Sequence, residues 1–499
     1  MRQYDLVVIG SGPAGQKAAI QAAKLGRKVA LVEKNNWLGG VALNTGTIPS
    51  KALREAILHL TGASKRGLFG EAYRVKSRIT VGDLISVSRT VINHERELVM
   101  SQLVRNGVDV VEGHARFDDD HQITVTVSDS DTGKEVRSER IQGDNFVLAI
   151  GTQPARPTNV PFSDGRVFTS DGILKLKQLP KSMIVVGGGV IGTEYACMMA
   201  TLGVKVTLVE GRNKVLGFLD DEICEAFQYQ MRRAGITLRL GEKVKGIELI
   251  GTDHPDYPQR ARRRASDVIV ESDDAAPEVK VAEEVEYKPD TPPGNVDRRS
   301  GSGDDDHVLV QATLESGKKL RAQTLFYAVG RQGTTSALAV DKAGLEADDR
   351  ERLRVNEHYQ TNVHHIYACG DVIGFPALAS TAMEQGRLAA CHMFGIEAHS
   401  FPDLFPFGIY AIPEISMVGK TEEELTNDGI PYEAGVATYS EIARGQLLGD
   451  ETGMLKLLIH QDNRDILGVH VIGSGATELI HIGQTAMAMG GKADFFSQN

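Results

Sequence analysis

Several things that would classify a chain at once are scarce or missing here. The 499 residues include only four cysteines, Cys197, Cys224, Cys369 and Cys391. They are too scattered for a zinc-type pair or a Cys-x-x-Cys redox motif, and a reducing, cytoplasmic compartment is expected. There is no basic excess. Lysine and arginine number 55 against 66 aspartates and glutamates, a net charge of −11, so the field that draws nucleic acid is absent. No apolar run approaches the ~18 residues of a membrane helix. Met1-Arg2-Gln3-Tyr4-Asp5 leads straight into the apolar Leu6-Val7-Val8-Ile9, not into a cleavable leader. His114 and His364-His365 lack a metal-like constellation, and no metal is expected. The 53 glycines follow no Gly-X-Y period, which excludes collagen and assigns them to turns. What remains is a chain with 41% hydrophobic residues, enough for a sizeable core, and long enough for about three domains.

The ordered signal comes first at the N-terminus. The apolar run Leu6–Ile9 ends in Gly10-Ser11-Gly12-Pro13-Ala14-Gly15. A helix-like stretch from Gln16 to Leu25 follows, closed by Gly26, and then the strand Val29–Val32, ending at Glu33. Each part has a physical task. Gly10 allows the tight turn, Gly12 lets backbone approach a pyrophosphate, and Gly15 lets helix and strand pack closely. The helix N-terminus offers unpaired N–H groups to phosphates, and Glu33 accepts from ribose hydroxyls. The pattern recurs with Met183–Val186, the turn Gly187-Gly188-Gly189-Val190-Ile191-Gly192, a helix body Ala196–Leu202, and Val206–Val209 ending at Glu210. Two complete fingerprints imply two dinucleotides, or one bound twice. Asp371, after the strand Ile366–Ala368, places a carboxylate where open α/β sheets bind ligands. Ala149–Thr152 and Ala328–Arg331 have a similar layout.

With these motifs, and with Gly39-Gly40 and Gly46–Lys51, the chain resembles the two-dinucleotide-binding flavoproteins, the pyridine nucleotide-disulfide oxidoreductase family. The resemblance implies an α/β protein with two Rossmann-like dinucleotide-binding domains and a C-terminal α+β interface domain. It further implies one FAD per subunit, NAD(H) and NADP(H) as substrates, and a homo-oligomer, in the family's form a homodimer. FAD would be held by Gly10, Gly12, Pro13, Ala14, Gly15, Glu33, Lys34, Gly40, Val41, Thr47, Lys51, Ala115, Gly151, Asp371 and Ala379. The nicotinamide nucleotide would be held by Gly187, Gly189, Val190, Ile191, Gly192, Glu194, Glu210, Arg212 and Gly330. Lys51 is implied to reach the flavin N5 region and Glu194 to pair with it, the two acting as the catalytic pair. Glu210 suits the 2′-hydroxyl of NAD. Arg212, with Lys214 as a weaker candidate, suits the 2′-phosphate of NADP.

Disulfide reductases of the family place cysteines where this chain has Ala42 and Thr47. Alanine has no nucleophile and a threonine hydroxyl is not redox-active, so the usual dithiol chemistry is excluded. The segment Asn44–Lys51 and the run Gly475–Gln484 are similar instead to the soluble pyridine nucleotide transhydrogenases. That resemblance implies ping-pong hydride transfer in which the flavin is the sole redox centre. A diaphorase passing electrons to a quinone, dye or oxygen, and a catalytically silent nucleotide-binding protein, are the competing readings. The expected organisation is an FAD-binding part at 1–152 and 330–400, an NAD(P)-binding part at 153–329, and an interface domain at 401–499. The stretch 251–305, rich in Pro, Asp, Glu and Arg, is expected to be a loosely ordered insertion between strands near Val244–Leu249 and Val308–Leu314. The interface domain is expected to be short at its C-terminal end.

Overall fold

The computed structural model describes residues 1–34, 38–70, 73–129, 132, 134–258, 308–398 and 404–498. The expected insertion beyond residue 258 and the boundary at 401–403 lie outside the described residues. The chain divides into two compact units. One holds Met1–Ala52, Ser86–Ala155 and Gly330–Ser400, and the other Leu53–Ile85, Arg156–Val329 and Phe401–Asn499.

Each unit is built on a five-stranded parallel sheet. In the first the order is Ile366–Ala368, Phe146–Leu148, Leu6–Ile9, Val29–Glu33, Asp109–Glu112. In the second it is Val167–Phe168, Thr324–Tyr327, Ser182–Val186, Lys205–Glu210, Thr237–Leu240. The central strands, Leu6–Ile9 and Ser182–Val186, are buried at every residue. Continuous apolar runs of this kind are what a sheet covered on both faces requires. The two helices that follow the glycine turns, Pro13–Lys24 and Val190–Thr201, are each 12 residues long. Both start earlier than the sequence marks. Proline is suited to the first helical position, where its missing N–H costs nothing, and Gly192 is accommodated inside the first turn of the second helix.

Close packing explains the small residues. Helix Pro13–Lys24 turns Ala14, Gly15, Ala18, Ala19 and Ala22 inward. A Cβ at Gly386, in helix Ala379–Met393, would collide with the Ala14 carbonyl. The first unit adds a four-stranded sheet, Arg2–Tyr4, Glu135–Gly143, Gln122–Ser128 and His114–Phe117.

The second unit adds an antiparallel sheet of Val244–Gly251, Val308–Leu314 and Lys319–Ala322. Gly251 pairs with Val308, so the long connection leaves from the end of a hairpin. Its first residues turn back on that hairpin. Tyr257 is buried with Ile250 and Leu309, and Asp256 pairs with Lys319. The C-terminal part is a five-stranded antiparallel sheet, ordered Phe407–Ile409, Ile415–Gly419, Ile466–Ile472, Met454–His460, Tyr432–Thr438. Helix Ala476–Ala488 covers it, burying Ala476 and Ile480 with Val418, Val469 and Val471. Among the described residues no helix is long and apolar enough to cross a membrane.

Candidate functional site

The two glycine turns are built alike. Gly10 N–H donates to Val32 O at 2.8 Å, and Gly187 N–H to Val209 O at 2.8 Å. Gly10 has φ +103° and Gly187 φ +107°, a region that disfavours side chains. A Cβ at Gly10 would strike the Ala149 carbonyl, and one at Gly187 the Ala328 carbonyl. This explains the glycine that opens each turn, since Ala149 and Ala328 lie where the neighbouring strands end. A Cβ at Gly15 would meet the Gly10 carbonyl and one at Gly192 the Gly187 carbonyl. At Gly12 and Gly189, by contrast, a Cβ would meet nothing within 4 Å. The middle glycine of each turn therefore borders open space, and the helix behind it has no side-chain cap. Its first amides are left for an anion.

Each strand-end acid closes its own turn. Glu33 accepts from Ser11 N at 2.8 Å and Ser11 Oγ at 2.5 Å. Glu210 accepts from Gly188 N at 2.6 Å. The acids then differ. Burial pushes the Glu33 carboxyl up, against the Ser11 hydrogen bonds. Burial acts the same way on Glu210, but hydrogen bonds from Arg212 hold it below the usual range. Arg212 donates from N and from Nε to Glu210 Oε1, both at 2.9 Å, and from Nη2 to Oε2 at 3.1 Å. Acid and base are thus a forked pair, with the Arg212 side chain 56% exposed and able to swing.

The first unit gathers further expected residues. Gly40 stands against Gly12, where a Cβ would lie 3.0 Å from the Gly12 Cα. Gly39 N–H donates to Ser11 Oγ at 2.9 Å. Asp371 accepts from Thr152 Oγ1 at 3.3 Å, and Arg331 holds Thr152 through Oγ1 at 2.7 Å and O at 2.6 Å. Gly151 has φ +64° and Gly330 φ +80°. Lys34 is exposed, Ala115 is buried in strand His114–Phe117, and Ala379 opens helix Ala379–Met393. Val41 is half-buried in the helix Gly40–Asn44. Thr47 is exposed and Lys51 half-buried, both in helix Thr47–Thr61. Glu194 is buried in helix Val190–Thr201 and accepts from Tyr410 N at 2.8 Å. Lys51 and Glu194 belong to different units. Sequence reasoning missed Ser11, the hydroxyl bridging Glu33 and Gly39, and the Arg331–Thr152–Asp371 chain. Their adjacency to the glycine motifs was the available signal.

Two parallel sheets, each with a strand, a glycine turn, a helix N-terminus and a strand-end acid, define a protein with two dinucleotide sites. The chain belongs to the pyridine nucleotide-disulphide oxidoreductase family, whose pattern matches residues 4–262 and 274–386, with the family's dimerisation domain matching 405–499. It is 48% identical over 497 residues to the soluble pyridine nucleotide transhydrogenase of Mycobacterium tuberculosis, covering 99% of this chain and 93% of that protein. The protein of the same name from Vibrio parahaemolyticus is 39% identical over 495 residues, with the same coverage. Among solved structures, LpdA from Mycobacterium tuberculosis superposes with TM-score 0.79 at 20% identity, covering 100% of this chain and 96% of that one. The flavoprotein disulfide reductase RclA from Escherichia coli does so with TM-score 0.75 at 25% identity, covering 98% and 94%.

The family implies FAD, and the first unit fits it. The open cradle at Gly12 admits a pyrophosphate. In the segment leading to Thr47, Thr45 Oγ1 is buried without a hydrogen-bond partner among the described residues, a polar group that a bound ligand would satisfy.

Proposed function

We propose that this chain is an FAD-dependent NAD(P)+ transhydrogenase, passing a hydride between NADPH and NAD+ in ping-pong order without a redox dithiol. The observation that carries this reading is the pair of matched dinucleotide turns beside a segment with Ala42 and Thr47 in place of thiols. The cysteines support it. All four are buried and unbridged. Burial pushes the Cys197 thiol up to about 12 and the Cys224 thiol up to about 11, and it raises Cys369 further. A thiol held protonated is a poor nucleophile.

Bound FAD supplies the two-electron hydride chemistry that no side chain here offers. The residues bind and orient. Gly10, Gly12 and Gly15 with the helix Pro13–Lys24 take the FAD pyrophosphate, and Glu33 the ribose. Gly187, Gly189 and Gly192 with the helix Val190–Thr201 take either nicotinamide nucleotide. Glu210 accepts from the free ribose hydroxyls of NAD, while Arg212 leaves Glu210 to pair with the 2′-phosphate of NADP. The domains would be 1–152 with 330–400 for FAD, 153–329 for NAD(P), and 401–499 for the interface. A homo-oligomer in the cytoplasm fits this reading. Leu479, Ile482 and Met489 are exposed on and just beyond the helix Ala476–Ala488, an apolar stripe for a second copy.

The deciding experiment is an anaerobic titration of the flavin-loaded protein. NADPH should bleach the flavin and NAD+ should restore its colour. Flavin that is reduced by NADPH but not reoxidised by NAD+ rejects the proposal, and faster reoxidation by quinones favours a diaphorase. Two substitutions refine the reading. Arg212→Ala should raise KM for NADPH about tenfold and leave KM for NADH within about twofold, because a charge-assisted bond to phosphate is worth ~1.5–3 kcal/mol. Steady-state kinetics with both nucleotides checks this. Lys51→Met should slow flavin reduction about tenfold at unchanged flavin content, since a cation placed near developing charge stabilises it. Stopped-flow absorbance reads that rate.

A further inference from the structure

A buried arginine outside the glycine turns grips the loop that joins strands Phe407–Ile409 and Ile415–Gly419. Arg54 lies in helix Thr47–Thr61 and is 5% exposed. Its Nε donates to Ala411 O at 3.0 Å, and its Nη2 lies 3.0 Å from Glu414 Oε1. Its Nη1 donates to Oε1 of the exposed Glu55 at 2.6 Å. Glu414 is held in turn. Its Oε2 accepts from Thr477 Oγ1 at 3.0 Å, and its backbone O accepts from Gly473 N at 2.9 Å. The same loop reaches helix Val190–Thr201 on its other side. Tyr410 N donates to Glu194 Oε1 at 2.8 Å, and the Ile412 backbone hydrogen-bonds Cys197. Ala411, Glu194 and Cys197 are buried. Arg54, the loop 410–414 and Glu194 all belong to the second unit.

The geometry points to Arg54 as a positioning residue for hydride transfer, acting through the loop 410–414 to fix the Glu194 carboxylate. The inference rests on the function proposed above. Glu194 stands one turn inside the helix whose first amides receive the nicotinamide nucleotide. A buried carboxylate there needs a donor, and the Tyr410 amide is one. With Oε1 bound to that amide, the carboxylate turns only by giving up the bond. The amide is in place because the loop is, and Arg54 holds the loop at Ala411 and again at Glu414. A buried ion pair adds little net stability. What a guanidinium supplies is direction, since its donors lie in one rigid plane and fix several acceptors at once. A lysine has no such fork and holds one of the two anchors at a time.

The test is anaerobic stopped-flow reduction of the flavin-loaded protein by NADPH and by NADH. Arg54→Met should lower the limiting rate of flavin reduction about tenfold or more, because small misplacements of a group near the reacting atoms are costly. The dissociation constants of both nucleotides should stay within about twofold, since the phosphate-binding turn is untouched. Flavin content should not change. Arg54→Lys should recover part of the lost rate, and Glu414→Gln should show a smaller loss of the same kind. The deciding comparison repeats each substitution in Glu194→Ala. There Arg54→Met, Arg54→Lys and Glu414→Gln should slow reduction no further, because the group they position is gone. Arg54→Lys and Glu414→Gln carry the same comparison if Arg54→Met does not fold. Equal slowing in both backgrounds marks a purely structural arginine and overturns the assignment, as does an unchanged limiting rate in the Arg54 variants. Wild-type flavin that neither nucleotide reduces overturns the proposed function itself, a result distinct from both.

Discussion

Gly192→Ala should destabilise the protein by about 3 kcal/mol, while Gly189→Ala, three residues away, should leave stability within about 0.5 kcal/mol and abolish tight nucleotide binding. The contrast follows from what a methyl group would meet. At Gly192 it would run into the Gly187 carbonyl, with the Ala328 Cβ behind it. Backbone cannot rotate aside as a side chain can, so the helix must move off the sheet, and overpacking of this kind costs ~1–3 kcal/mol or more. At Gly189 the methyl would enter open space at φ −79°, a conformation alanine adopts readily. Even a slight gain is expected there from a stiffer unfolded chain. That open space is where a pyrophosphate must approach the amides, and a methyl in it holds the phosphate away. KM for both nicotinamide nucleotides should rise more than about tenfold. Gly12 and Gly15 repeat the contrast in the first unit, with flavin content as the readout. Urea unfolding and nucleotide titration of the four variants check the prediction. Equal stability losses at Gly189 and Gly192 would refute the open-cradle geometry.

The parts of the fold that were legible in the sequence are those governed by local rules. The runs Leu6–Ile9 and Met183–Val186 are apolar throughout because both their faces are covered. Their glycine turns are written in consecutive residues because positive φ and close backbone contact admit little else. Helix starts were misplaced by several residues, since Gly-rich segments carry no apolar period from which to read a boundary. Long-range polar pairing left no trace. The Arg331–Thr152 bond spans 179 positions, and His365 reaches its partner over 245. No spacing rule connects residues that only the fold brings together. His364-His365 therefore read as ordinary histidines, the ring that His365 stacks on being far upstream. In the sequence Glu210 and Arg212 read as two alternative recognition groups. The structure joins them into one, because both side chains rise from the same strand end.

Lys456→Met should cost about 3–5 kcal/mol at neutral pH, the usual penalty for breaking a buried ion pair from one side. The Lys456 side chain is 2% exposed and lies 2.8 Å from Asp220, 2.7 Å from Glu422 and 3.0 Å from Glu222. Asp220 also caps the helix Asp221–Arg233 and is 1% exposed. Burial opposes the charge on both partners. Bonds to the three carboxylates nevertheless raise the Lys456 ammonium, and the Lys456 bond holds the Asp220 carboxyl below its usual range. A depressed carboxyl stabilises the folded state above its unfolded value of about 4 and loses that contribution as pH falls through the folded value. A raised ammonium contributes below about 10.4 and loses its contribution as pH rises past the folded value. The wild-type cluster therefore supports the fold across the whole neutral range. Without Lys456, Asp220 is a buried carboxylate left with the Glu222 and Glu422 amides and the His470 ring, whose own burial disfavours its charged form, and burial then moves the Asp220 pKa above the unfolded value instead. The sign of the acid limb then reverses. Between about pH 6 and pH 4 the deficit of Lys456→Met should shrink, because protonating Asp220 relieves the stranded charge. Asp220→Asn added to Lys456→Met should recover part of the loss, and its deficit should no longer depend on pH in this window. Urea midpoints of the two variants and the wild type across that range separate this account from simple loss of packing, which would give Lys456→Met a deficit that does not vary with pH.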